Sequence, residues 1–218
     1  MRLFFGTQFA IRTAVVMTAL FGAALVCQAQ KDTATKKQTT TKKDTEKQET
    51  KKRRPDVIFV PTPQVVVDKM LELAKVKKGE VVYDLGCGDG RIVVTAAKKF
   101  GAKGKGFDID PQRIKESLEN VKKNKVEDKV EIIEADIFKL DLKEADVITL
   151  YLLPSLNVKL IPQLDKLKPG VRIVSHDFDM QGVKPDQEVT VEVEDDRERP
   201  VYLWTTPLKK EKETKASE

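Results

Sequence analysis

The sequence predicts a doubly wound α/β domain with a mostly parallel sheet, and three observations carry that expectation. Short, β-branched apolar runs at residues 81–85, 146–150 and 171–175 read as strands buried on both faces, the pattern of a parallel sheet. Segments of helical spacing alternate with strands, which implies βαβ crossovers. Near the C-terminal end the pattern changes. EVTVEVE (188–194) alternates with period two, and PVYLWTTP (200–207) follows after a charged turn. That pair reads as an antiparallel hairpin at one edge of the sheet.

In chain order, residues 1–29 read as a targeting segment. Arg2 and Arg12 are its charges, no acid precedes Asp32, and residues 13–26 form an uncharged, mostly apolar run. A bilayer-spanning helix needs about 20 such residues, so a cleaved signal peptide is the first expectation, with Cys27-Gln28-Ala29 ahead of the cut at Gln30. Val26 before Cys27 makes a poor lipoprotein box. Two alternatives stand beside export: an uncleaved anchor that holds the domain in the cytoplasm, given the lysines on its flank, and an organelle transit peptide. Residues 30–54 are Lys/Thr-rich without one large apolar side chain, so they predict a disordered linker. Through the leader or this polybasic stretch the chain is a candidate for membrane contact. Residues 208–218 read as a charged, frayed tail.

The charge is unevenly placed. Residues 31–54 hold ten Lys and Arg against four Asp and Glu, a net +6. Arg2 and Arg12 add two more, so the whole-chain +5 leaves −3 for residues 55–218. The pI of about 9.0 therefore gives no footprint of nucleic-acid binding, and no nucleic-acid partner is expected. Two cysteines, Cys27 and Cys87, allow neither a disulfide framework nor a metal cluster, and no metal is expected.

The domain itself is expected over residues 55–207. A proline-punctuated segment leads in, Thr62 is placed to cap a helix with Pro63 at its first position, and Val65, Val66, Met70, Leu73 and Ala74 form its stripe. Lys78-Gly79 is expected to end that helix. Strand 81–85 then leads through a glycine bend to a helix over 90–99. Strand 104–108 leads through Asp110-Pro111 to a helix over 111–123, and strand 130–135 follows. Strand 146–150 precedes a helix over 155–166 that contains Pro162, and strand 171–175 comes after the turn signal Lys168-Pro169-Gly170. With the terminal hairpin this makes seven strands.

In an open α/β sheet, ligands bind outside the carboxyl ends of the strands. The first strand runs into VVYDLGCGDGR, where Gly86, Gly88 and Gly90 permit positive φ and close backbone approach. A dinucleotide fingerprint would need glycine at position 91, which is Arg91, and no P-loop motif is present. Asp84 leads the bend. Its carboxylate would repel a pyrophosphate and suits a ligand with an ammonium group and a sulfonium centre. Asp108, 22 residues after Gly86, can accept two ribose hydroxyls. Asp136 can accept from an adenine amine, with Ile109 and Ile137 as apolar faces for the ring. Tyr151 closes the fourth strand and His176 the fifth, so the unusual residues of five strands fall at one edge. Cys87 reads as a small apolar loop residue, and Arg91 as a first-turn ion-pair residue.

The motifs VVYDLGCGDGR, GFDID and EADIF resemble those of class I S-adenosylmethionine-dependent methyltransferases, over roughly residues 56–206. The resemblance implies a Rossmann-like sheet of order 3-2-1-4-5-7-6 with strand seven antiparallel. It implies S-adenosyl-L-methionine as methyl donor. Gly86, Gly88 and Gly90 would line the methionine moiety, Asp84 would anchor the loop and the amino group, Asp108 would take the ribose, and Asp136 with Ile137 the adenine. VPTP, YLLPS and RIVSHDF are similar to a small bacterial group related to the mitochondrial lysine methyltransferases of the ATP-synthase c subunit. The Asn/Asp-Pro-Pro-Tyr/Phe run of amino-methylating nucleic-acid enzymes is replaced by Leu150-Tyr151-Leu152-Leu153-Pro154. The expected function is thus methyl transfer, with a protein lysine as acceptor. A small-molecule or lipid-headgroup acceptor, and a non-catalytic donor-binding domain, are the alternatives. Tyr151 as a wall for the nucleophile and His176 as a base are the catalytic candidates. A monomer is expected.

Overall fold

The computed structural model describes residues 58–194 and 197–211. The leader, the linker and the tail beyond 211 lie outside the described residues, as do the expectations attached to them. The elements run α1 (Gln64–Leu73), β1 (Val81–Leu85), α2 (Arg91–Thr95) continued by a π-helical turn (Ala96–Phe100), β2 (Lys103–Asp108), α3 (Pro111–Asn124), β3 (Val130–Glu134), a 3-10 turn (Ile137–Lys139), β4 (Val147–Leu150), α4 (Pro154–Leu164), β5 (Arg172–His176), β6 (Gln187–Glu192) and β7 (Glu198–Thr205). The strands form one sheet, ordered β3-β2-β1-β4-β5-β7-β6. The first five pair in parallel, and β7 lies antiparallel between β5 and β6.

Each sheet face has its own apolar layer, because successive strand residues point to opposite sides. Val82, Val147, Val174 and Val201 pack on one face with Met70 and Leu71 of α1. Tyr83, Leu85, Ile148, Ile173 and Trp204 pack on the other with Leu160 and Leu164 of α4. Fully burying a side chain of this size contributes about 1.5–3 kcal/mol. Among the described residues, no helix is long and apolar enough to cross a membrane.

Several local expectations need correction. Thr62 does not cap α1. Pro63 is the N-cap, and its carbonyl accepts from Val66 and Val67 N–H at 3.0 Å each. Thr62 is instead buried, with its Oγ1 3.3 Å from His176 Nδ1. The helix ends at Leu73 rather than at Lys78-Gly79. Lys75 takes φ 49°, and Val76 N–H returns to Leu71 O, so a Schellman turn closes the helix without glycine. The second helix keeps its length but widens to a π turn over its last five residues, before Gly101 at φ 68° ends it. The tail expectation started too early. Residues 208–211 fold back: Val183 and Lys210 form a β-bridge, and Glu211 N–H bonds to Gly182 O.

Candidate active site

The glycine bend is tied to the end of β2 by main-chain bonds. Gly86 and Cys87 N–H both donate to Phe107 O, at 2.8 and 2.9 Å. Gly88 N–H donates to Asp108 Oδ2 at 2.9 Å, while Asp108 Oδ1 accepts from Asp110 N–H at 2.9 Å. Asp108 therefore first organises the protein. A carboxylate has about four acceptor positions, so each of its oxygens keeps capacity for a hydroxyl. The close packing explains the glycines. A Cβ on Gly88 would lie 2.0 Å from Cε2 of Phe59, and one on Gly90 would lie 2.9 Å from Cβ of Ser117.

Asp84 is buried beneath this bend, 2% exposed. Its register partner on β4 is Thr149, whose hydroxyl donates to Asp84 Oδ1 at 2.6 Å. The other oxygen, Oδ2, has no hydrogen-bond partner. Burial pushes the carboxyl up to about 7, against the Thr149 bond, and the nearby Asp108 and Asp89 raise it further. A buried acceptor without a donor is costly, and a cationic ligand would relieve it.

A cavity of about 280 Å³ opens at this edge of the sheet. Of the residues singled out from the sequence, Asp84, Gly86, Asp108, Ile109, Asp136, Ile137 and Tyr151 line it. Gly88, Gly90 and His176 do not. Asp136 also caps the 3-10 turn, its Oδ1 accepting from Phe138 N–H at 3.1 Å, and its Oδ2 lies 3.7 Å from Lys139 Nζ. Ile109 and Ile137 line the same cavity as Phe138 and form apolar walls suited to a flat ring. These features fit the donor that the sequence motifs imply: a buried carboxylate with one unpartnered oxygen for an ammonium, a half-committed carboxylate for hydroxyls, and an apolar slot.

Comparison with known proteins agrees with that fit. The family model described as "ANTKMT methyltransferase domain" matches residues 84–187. A protein of Saccharolobus islandicus named "Protein-lysine N-methyltransferase" is 47% identical over 152 residues, which is 69% of this chain and 94% of the relative. This chain belongs to the class I S-adenosylmethionine-dependent methyltransferases. A crystal structure described as an RNA methyltransferase from Salinibacter ruber, in complex with S-adenosyl-L-homocysteine, is 49% identical. It covers 73% of this chain and 100% of its own, with a TM-score of 0.63. The structure of TrmN from Thermus thermophilus, 20% identical with a TM-score of 0.54, shares the fold alone.

Tyr151 and Phe178 also line the cavity of this methyltransferase. Tyr151 Oη donates to Asp177 Oδ2 at 3.1 Å, and Arg199 Nη1 donates to the same oxygen at 2.8 Å. His176 sits behind Tyr151, their ring centroids 4.0 Å apart, and is 0% exposed. Burial drives its basicity down to about 4, against the pull of Asp177, so it is neutral at physiological pH. Its Nε2 lies 3.3 Å from Asp177 Oδ1 but lacks hydrogen-bond geometry to any partner. A weakly basic imidazole outside the cavity wall has no direct route to an acceptor's proton, so the base role expected for His176 is withdrawn.

Phe59, Arg113 and Arg91 are among the residues missed or undervalued in the sequence. Phe59 roofs the bend, and Arg113 stacks on its ring at 4.8 Å. Arg91 pairs with Asp89 at 2.6 Å, and its Nη1 donates to Thr62 O at 2.7 Å. Arg91 is thus an ion-pair residue, as expected, and also a pin for the lead-in segment 58–63. The aromatic and the VPTP run hinted at a packed segment, but nothing local said where it would pack.

Proposed function

We propose that this methyltransferase acts on a protein lysine. The carrying observation is the 47% identical, near full-length relative that bears the name protein-lysine N-methyltransferase. The electrostatics of the cavity support it. Asp84, Asp89, Asp108, Asp110 and Asp136 line it. Among the described residues, the cations in its wall are Arg91, committed to Asp89, and Arg113, committed to Glu116. Such a wall is less hostile to a lysine side chain than to a phosphate backbone.

S-adenosylmethionine, when bound, supplies a methyl group already activated by a sulfonium. Asp84 holds the amino group at the floor, Asp108 accepts the ribose hydroxyls, and Asp136, Ile109 and Ile137 flank the adenine. Phe59 and Arg91 close the lead-in segment over the bend and exclude water. The residues around Tyr151 admit and align the acceptor. Alignment and desolvation of this kind can supply about 7–11 kcal/mol of a displacement barrier. A free lysine titrates near pH 10.4, about three units above neutrality, so desolvation in the mouth has to favour its neutral form.

A second reading, RNA methylation, is favoured by the 49% identical Salinibacter ruber protein, which is described as an RNA methyltransferase. One experiment separates the two. With radiolabelled donor and a cell lysate, the lysine reading expects label that is lost to protease, survives ribonuclease, and is recovered as methyl-lysine. Ribonuclease-sensitive label would replace it with the RNA reading. Export by a cleaved leader, or inward-facing anchoring, and a monomeric state belong to the same proposal. Sequencing the mature N-terminus in fractionated cells tests the first, and light scattering the second.

A further inference from the structure

We propose that Asp177 is a positioning residue for methyl transfer: it turns the Tyr151 hydroxyl so that the phenol oxygen faces the cavity as a hydrogen-bond acceptor for the attacking amine. The inference rests on the lysine reading above. Tyr151 lines the cavity and Asp177 stands outside its wall. A phenol has one hydrogen. Because the Tyr151 hydroxyl donates it to Asp177 Oδ2 at 3.1 Å, the oxygen's remaining lone pairs can only accept. An amine that gives an N–H to this oxygen has its own lone pair fixed in direction.

Asp177 is held firmly for this purpose. Arg199 Nη1 donates to Oδ2 at 2.8 Å, and Asp177 N–H donates to Pro200 O at 2.8 Å. Phe178 N–H bonds to His176 O at 2.7 Å, closing a γ-turn whose central residue, Asp177, has φ 60°. Positive φ is unfavourable in a non-glycine residue, and such turns are rare and strained. Asn157, 0% exposed, braces the turn from α4 by donating to Phe178 O and Asp179 O at 3.2 and 2.9 Å. The Tyr151 ring lies between His176, at 4.0 Å, and Phe178, at 6.1 Å and 19° from parallel, so it cannot swing away from Asp177 freely. In the transfer, the amine nitrogen's lone pair forms the N–C bond, the C–S electron pair stays on sulfur, and the nitrogen's surplus proton leaves to water.

The phenol itself offers a second readout. The Tyr151 hydroxyl is raised above the usual phenol range by burial first and then by Asp177, while Arg199 and Arg197 lower it. His176, neutral, is the remaining titratable group against the ring. Removing Asp177 therefore has to bring the phenol down.

The test uses the full chain with Asp177→Gly, Asp177→Asn, Tyr151→Phe and the double variant Asp177→Gly/Tyr151→Phe. Glycine suits positive φ and asparagine tolerates it, so the turn is kept. Transfer from radiolabelled donor to lysate protein at saturating donor should fall by about 10²-fold in Asp177→Gly and in Tyr151→Phe. The double variant should be no slower than Tyr151→Phe, because Asp177 acts through Tyr151. Asparagine should rescue part of the rate, and the dissociation constant for S-adenosylhomocysteine should stay within about twofold by calorimetry. Ultraviolet titration, read as the difference from Tyr151→Phe, should show the Tyr151 phenol ionising at lower pH in Asp177→Gly, and the same comparison in Asp177→Asn serves if glycine fails to fold. A wild-type rate in Asp177→Gly, additive losses in the double variant, weakened nucleoside binding or an unmoved phenol would each overturn the proposal. If the wild type labels no protein lysine, the lysine reading fails alone, and the phenol titration still decides whether Asp177 governs the hydroxyl.

Discussion

Asp84 concentrates the chemistry of the proposed donor site in one carboxyl group. Thr149 satisfies one oxygen, the other has no donor, and burial raises its titration to about 7. The folded protein therefore keeps a proton that the unfolded chain releases near pH 4. Stability falls as pH rises from about 4 to about 7 and is level above that, with a ceiling of about 4 kcal/mol for a three-unit shift. Asp84→Asn should raise the stability of the ligand-free protein at pH 8 by about 1–2 kcal/mol, less than the ceiling because the new amide hydrogens need partners; thermal melts at pH 5 and pH 8 check this. Ligand binding should run the other way. An ammonium on Asp84 favours the carboxylate, so S-adenosylhomocysteine affinity should drop by up to tenfold per unit below pH 7. Asp84→Asn should bind weakly and lose that slope. Calorimetry in two buffers of different ionisation enthalpy should detect the proton released at pH 7 by the wild type.

At the scale of elements, the lead-in segment and the glycine bend form one unit. Phe59 fills the space a Gly88 side chain would need, and Arg91 clamps Thr62 O from the first turn of α2. Gly88→Ala places a methyl group 2.0 Å from the Phe59 ring at a φ of 54°. Something has to move, and the ring is freer than the bend. Gly88→Ala should therefore weaken S-adenosylhomocysteine binding by about tenfold, about 1.4 kcal/mol. Phe59→Ala should relieve the clash, so the double variant should bind more tightly than the two single losses predict when summed. Additive losses would mean that the ring and the bend act independently. β2 is shaped by the same kind of contact: a Cβ on Gly104 would lie 2.7 Å from Cβ of Val93 in α2, and one on Gly106 would lie 2.9 Å from Cδ1 of Ile132 and 3.0 Å from Cβ of Cys87, so both glycines serve close packing rather than flexibility.

For the whole molecule, the β6–β7 hairpin completes the sheet and seals both faces. Trp204 on β7 is 1% exposed, packs in the layer beneath α4, and donates Nε1–H to Val183 O at 3.0 Å. Arg199, near the start of the same strand, reaches Asp177. The strand thus joins core stability to the Tyr151 side of the cavity. Trp204→Ala should cost about 3–5 kcal/mol, which lowers the melting temperature by about 6–20 °C for a domain of this size. Circular dichroism melts check it. A shift under about 2 °C would mean the hairpin does not contribute to the cooperative core.

Local patterns in the sequence suffice for the layered architecture and for the sheet edge at which the cavity opens. Strand burial, helical spacing and glycine placement are local properties, and parallel crossovers force the carboxyl ends of β1 to β5 to one side. For that reason Asp84, Asp108 and Asp136 could be assembled on paper. Helix boundaries were less legible, since α1 ends at Leu73 through a turn in which Lys75, two residues on, is left-handed without being glycine. The tertiary structure alone decided what each group can do. Whether His176 meets an acceptor or lies sealed behind Tyr151 depends on burial. Whether Phe59 roofs the bend, Thr149 answers Asp84 or Arg199 braces Asp177 depends on contacts between residues 22 to 65 positions apart. Charge, access and hydrogen-bond direction arise from the three-dimensional surroundings of a residue, and no local pattern encodes them.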